Sequence, residues 1–181
     1  MTDLSNTRRH IGFPKLPRRY RIALIVAPAI YAVISWLILK SAGNPPVRFR
    51  IDVTPFLDAG LIIQLHVLGA LAAFGIGVVL LSGVKGTGLH RALGYSWVAA
   101  MGVAAVSSFF ITGLNGHNYS FIHGISAWTV IALPMAVAAA RRKKIRQHAR
   151  GMTNAFVGGL LVAGLFTFLP GRLMWTIFFA A

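Results

Sequence analysis

Apolar residues along this chain come in five long runs, each bounded by polar or turn-forming residues. The first, residues 22–39 (IALIVAPAIYAVISWLIL), makes a helix about 27 Å long at about 1.5 Å per residue, close to the hydrocarbon thickness of a bilayer. Four more follow, over residues 58–82, 92–113, 120–140 and 151–169. The last four are joined by short connections, 83–91, 114–119 and 141–150, and short loops force antiparallel neighbours. The pattern predicts an all-α membrane protein of five transmembrane helices, the last four forming an up-down antiparallel bundle. Residues 1–21 read as a basic arm in which Pro14 and Pro17 discourage a long helix. Residues 22–39 form the anchor helix, and 40–57, with Asn44-Pro45-Pro46, Asp52 and Pro55, an external loop. The four-helix domain takes in 58–175, leaving 176–181 as a C-terminal tail. From Pro170 onward the chain is apolar but too short to cross, which places it at the interface.

Composition sharpens this picture. The 181 residues are 56% hydrophobic and only 12% charged, whereas soluble domains carry about 25% charged residues. A net charge of +15 would ordinarily raise nucleic-acid binding. Here the basic residues stand in blocks between apolar runs, so they read as topology signals and contacts to anionic lipid, with no nucleic-acid partner. Fourteen of the 18 Lys and Arg fall in the arm, the 83–91 loop and the 141–150 loop, while Lys40, Arg48, Arg50 and Arg172 fall on the opposite side. The positive-inside rule then predicts a bacterial inner-membrane protein with its N-terminus cytoplasmic and its C-terminus external. Tyr20, Trp36, Tyr95, Trp97, Tyr119 and Trp175 lie near the ends of the runs, as an aromatic belt requires. Thr7-Arg8-Arg9 lacks the context of a cleaved export signal, so the first run is read as an uncleaved anchor. The chain has no cysteine, which excludes disulfides, thiolate metal sites and covalent c-type haem attachment.

The candidate chemistry lies in histidine. His10 and His117 fall in the arm and in an outer loop, but His66, His90, His123 and His148 each stand near an end of one of four successive runs. With alternating direction, His66 and His123 lie toward the outer face, and His90 and His148 toward the inner one. In a four-helix bundle the second and fourth spans are diagonal, as are the third and fifth, so each pair could face a common centre line. His66 is roughly 10 Å inside the outer boundary, where an ionisable group is costly and marks a functional hypothesis. Its helix face continues through Gly69, Ala70, Ala73 and Gly77. Such small residues either let helices pack closely, with His66 hydrogen-bonding across the bundle, or leave room for a flat cofactor. Two opposed imidazoles form an axial ligand set suited to haem iron, and the outer pair, His66 with His123, is favoured. The inner pair adjoins Arg91, Arg146 and Arg150, and such a cluster equally suits lipid phosphate.

Two resemblances follow from these residues. The segment Lys85-Gly86-Thr87-Gly88-Leu89-His90-Arg91 with Leu93-Gly94, the pair Ile122-His123, Arg146 with His148, and the run from Ala163 to Arg172 (AGLFTFLPGR) resemble a bacterial membrane family catalogued only as a domain of unknown function. That likeness covers roughly residues 58–175 and implies no assigned activity. In arrangement alone, the histidines resemble cytochrome b561 and its relatives, which hold two b haems with histidines from alternate helices. The resemblance implies His66 and His123 on an outer haem b, His90 and His148 on an inner one, and electron transfer across or within the membrane with a redox partner. The histidines here are more closely spaced along the chain than that pattern has them. Two other functions stay open: a non-catalytic membrane subunit or scaffold of a larger complex, using its small-residue faces for helix association, and a small-molecule transporter, motivated by Pro28 and Pro134 within spans. Gly86-Thr87-Gly88 lacks the context of a phosphate loop, and no acid–histidine partner supports a nucleophile at Ser107, Ser108 or Thr112.

Overall fold

A computed structural model describes residues 17–112 and 121–180. The basic arm up to Lys15 with Asp3 and His10, and the 113–120 segment with His117 and Tyr119, lie outside the described residues. In chain order the elements are α1 (Arg18–Ser41), β1 (Arg48–Phe49), α2 (Thr54–Leu57), α3 (Leu61–Ser82), α4 (Gly88–Ser108), α5 (Phe121–Arg141), α6 (Ile145–Phe168), α7 (Leu173–Phe178) and β2 (Phe179–Ala180).

Among the described residues, α1, α3, α5 from Ile122 onward and α6 are long and apolar enough to cross a membrane. At 21 residues α4 is about 31 Å long, but it is less apolar than the others. The reason is visible in its packing. It lies against both α3 and α5, and its polar groups Trp97, Ser107 and Ser108 are buried there instead of meeting lipid. Neighbours in sequence are neighbours in space: α3 packs on α4, α4 on α5 and α5 on α6, and the middle of α6 returns to touch α3. The shared core is built from Ala73, Trp97, Met101, Leu133, Ala155, Phe156, Val157 and Leu160.

Turn chemistry explains where the helices stop. The motif at 85–91 is a two-helix junction. Lys85 Nζ donates to the carbonyls of Leu80, Leu81 and Gly83 at the end of α3, at 2.7, 2.8 and 2.7 Å. Gly86 takes the left-handed φ of +79° that the turn requires, and Thr87 Oγ1 accepts the His90 N–H at 3.1 Å to cap α4. Pro28 and Pro134 sit inside α1 and α5, which run on past them as continuous helices.

α6 is irregular. It begins as an α-helix over Ile145–Asn154, widens to a π-helix over Ala155–Val162, and ends in a 3₁₀ turn at Phe166–Phe168. The wide segment carries four of the buried core residues, Ala155, Phe156, Val157 and Leu160.

α1 stands to one side, held mainly through α6. Tyr20 donates its hydroxyl to Asn154 Oδ1 at 2.6 Å, and Tyr31 donates to the Phe168 carbonyl at 3.0 Å. Only Tyr20, Ala27 and Ser35 of its 24 residues are buried.

The tail is joined to the loop between α1 and α3. β2 pairs antiparallel with β1, the Arg50 and Asp52 amides donate to the Phe178 and Ile177 carbonyls, and α7 lies against α2. Loop and tail therefore form one small cap. Burial also corrects the aromatic belt. Trp36 and Tyr95 are exposed as a belt requires, whereas Tyr20, Trp97 and Trp175 are buried in protein contacts.

Candidate functional site

The four histidines do not behave as two equivalent pairs. His66 reaches across to the neighbouring helix, where its Nδ1 lies 2.8 Å from the Ala104 carbonyl oxygen. A carbonyl can only accept, so this nitrogen carries the proton and Nε2 keeps the lone pair. Ser107 Oγ stands 3.3 Å from the same nitrogen while bonding the carbonyl of Val103 in its own helix. His66 is thus engaged with α4, the helix next to it. His123, on α5, is buried and lies beside the Phe109 ring with centroids 6.4 Å apart. A hydrogen bond between Ser108 and Ser126 ties α4 to α5 at that same end.

The small-residue face of α3 is filled. A Cβ on Gly69 would stand 3.1 Å from the Ala100 carbonyl oxygen and 3.2 Å from the Ala104 amide nitrogen, so α4 backbone lies directly against it. Ala73 is completely buried. A Cβ on Gly77 would collide with the Phe156 ring and come within 2.9 Å of Trp97 Nε1. The space that a flat cofactor on this face requires is taken up by α4 and by two aromatic side chains. These small residues serve close helix approach.

The inner pair is arranged differently. His148 Nδ1 lies 3.0 Å from the Ala136 carbonyl oxygen on α5, which fixes a proton on Nδ1. Metal-bound imidazoles are held in this way, with the other ring N–H given to a carbonyl or carboxylate. His90 starts α4, and both His148 and Lys85 are close enough to act on it electrostatically. The two imidazoles come from different helices, His90 from the start of α4 and His148 from the first turn of α6. Arg91, Arg146 and Arg150 are neighbours in sequence, and such cations suit the propionates of a haem or the phosphate of a lipid. His90 and His148 offer two imidazole donors from separate helices, whereas the face of α3 beside His66 is packed. Among the described residues no group of three or more His, Cys, Asp or Glu could hold a metal ion.

Three features of this region escape a reading of the sequence. Lys85 looks like one more basic loop residue, yet it donates to three carbonyls, and its partial loss of solvent holds its ammonium below the usual lysine range. Ser107 and Ser108 bond their own helix carbonyls as expected, but each also reaches another helix. The Trp97 indole N–H is buried in the core and meets no acceptor. Spacing to Gly77 and Phe156 gives no hint of that.

Residues 63–179 match the model of a family described as "Predicted membrane protein (DUF2306)". No curated protein and no solved structure matches the chain.

Proposed function

This chain belongs to the DUF2306 family of predicted membrane proteins, and we propose that it is a b-type haem protein carrying electrons at the basic face of a bacterial inner membrane. In this reading α4 is a fifth span, α3 to α6 form an up-down bundle, the N-terminus is cytoplasmic and the C-terminus external. His90 and His148 are the axial ligands. The observation that carries the reading is the hold of the Ala136 carbonyl on His148 Nδ1, which orients one imidazole, with a second, His90, at the start of α4. When bound, the haem supplies a one-electron couple. The chain's own contribution is to orient His148 through Ala136, to anchor His90 through the Thr87 cap, and to set Arg91, Arg146 and Arg150 beside these histidines in sequence. The test is haem content. Protein purified after expression with ample haem precursor should carry about one non-covalent haem b per chain, and colourless protein ends the proposal.

The filled core favours a second reading, a non-catalytic membrane subunit or scaffold. Nothing in the packing of Ala73, Trp97 and Phe156 requires a cofactor. The long exposed face of α1, with Ile25, Val33, Trp36 and Leu37, would then be the surface that meets a partner helix. Haem-free protein that co-purifies with one stoichiometric membrane partner, and loses it on Val33→Trp, would support this reading.

A further inference from the structure

We infer that the turn between α5 and α6 is a binding site for a single anionic phospholipid. A groove of about 230 Å³ opens there, lined by Met135, Ala138, Ala139, Arg142, Lys144 and Gln147. Its two halves differ in chemistry. Arg142, Lys144 and Gln147 offer charged and amide donors at the mouth. Met135 lies seven residues before Arg142, about 10 Å further along the helix toward the apolar interior, and with Ala138 gives an apolar floor. A phosphate above and an acyl chain below match that division at the depth where a bilayer changes from headgroup to hydrocarbon.

Charge supplies the second argument. Residues 141–150 carry six Lys and Arg. The only ion pair among the described residues is Arg50 with Asp52, and Asp52 and Asp58 both belong to the segment between α1 and α3, away from this turn. The cations of the turn therefore have no carboxylate from the described chain to offset them, and an anion from outside relieves their repulsion.

Backbone geometry points the same way. Lys143 holds a left-handed φ of +57°, a conformation that favours glycine or asparagine over lysine. α6 then begins without a side-chain cap or an acidic first turn. The turn thus keeps cations at positions where helix-ending chemistry favours Gly, and where helix-starting chemistry favours Ser, Thr or Asp. The inference is independent of the haem proposal, since none of the lining residues is one of the four histidines.

The experiment is native mass spectrometry of the full chain released from detergent with added phosphatidylglycerol, phosphatidylcholine or inorganic phosphate. One phosphatidylglycerol should be retained per chain, in preference to phosphatidylcholine. The double variant Arg142→Gln/Lys144→Gln should weaken that retention by about tenfold or more, given the usual contribution of each cation near a lipid phosphate. The charge-matched variant Arg18→Gln/Arg21→Gln, at the start of α1 and outside the groove, should weaken it less than about twofold if the groove is the site. Met135→Asn should weaken lipid retention without altering response to inorganic phosphate. Equal losses in the two double variants would mean diffuse attraction and overturn the site. So would inorganic phosphate that displaces the lipid at equal concentration, or equal retention of phosphatidylcholine.

Discussion

Thr87 receives a free amide of the first turn of α4 on its hydroxyl, and in doing so it sets the position of His90, whose N–H is the donor. Thr87→Ala should therefore cost about 1 kcal/mol of stability, the usual cost of losing such a cap. Thr87→Ser should restore most of it, both measured as melting temperatures in one detergent. Asp52 works at the opposite end. Its carboxylate accepts from the Thr54 hydroxyl and backbone N–H, and Arg50 stands 3.4 Å away, so it is held below the ordinary aspartate range. A carboxyl depressed in the folded state contributes stability that is fully present above its unfolded value and is lost as pH falls through the folded one. The cap built by β1, β2 and α7 should accordingly stay closed down to about pH 4 and loosen below it. Trp175 emission should report that change, and Asp52→Asn should remove its pH dependence. The effect will be small, because the Asp52–Arg50 pair lies at the surface, where solvent screens it.

At the scale of elements, the apolar runs were legible because bilayer thickness imposes a length that composition alone reveals. α1, α3 and α5 begin and end within a few residues of the runs that predict them. α6 was less legible. Its first turns, Ile145 to Arg150, are polar, and its π segment packs Phe156 against Phe74 and Gly159 near Thr129, contacts that no local pattern encodes. The small residues of α3 were visible as a stripe, but the sequence left two uses open. Neighbours decide between them: α4 backbone fills the side of Gly69, and Phe156 with Trp97 fills the side of Gly77. Gly77→Ala tests that decision. The added methyl must displace an aromatic ring in a full core, so a loss of about 1–3 kcal/mol is expected. Gly75→Ala on the same helix meets nothing within 4 Å and should be nearly neutral. Equal effects of the two substitutions would mean that this face of α3 is not packed as described.

For the whole molecule, the four histidines were legible as residues near the ends of apolar runs, but not the direction in which each ring points. Diagonal placement in a bundle is a matter of topology, whereas pairing depends on which way each ring turns, and His66 turns to Ala104 on the adjacent helix. Orientation rests on the basic residues. Reporter fusions after Lys40 and Asn115 should lie outside and a fusion after Lys144 in the cytoplasm; a cytoplasmic signal at Asn115 would invert two spans and separate His90 from His148. The most direct test of the account is the reduced-minus-oxidised spectrum of the wild type and of single histidine variants. One b-type component is predicted, lost in His90→Ala and equally in His148→Ala, with no further loss in the double variant, because ligands of one iron act jointly. His66→Ala and His123→Ala should keep it. A component that survives His148→Ala, or that disappears only with His66 and His123, would contradict the assignment of the site to the basic end.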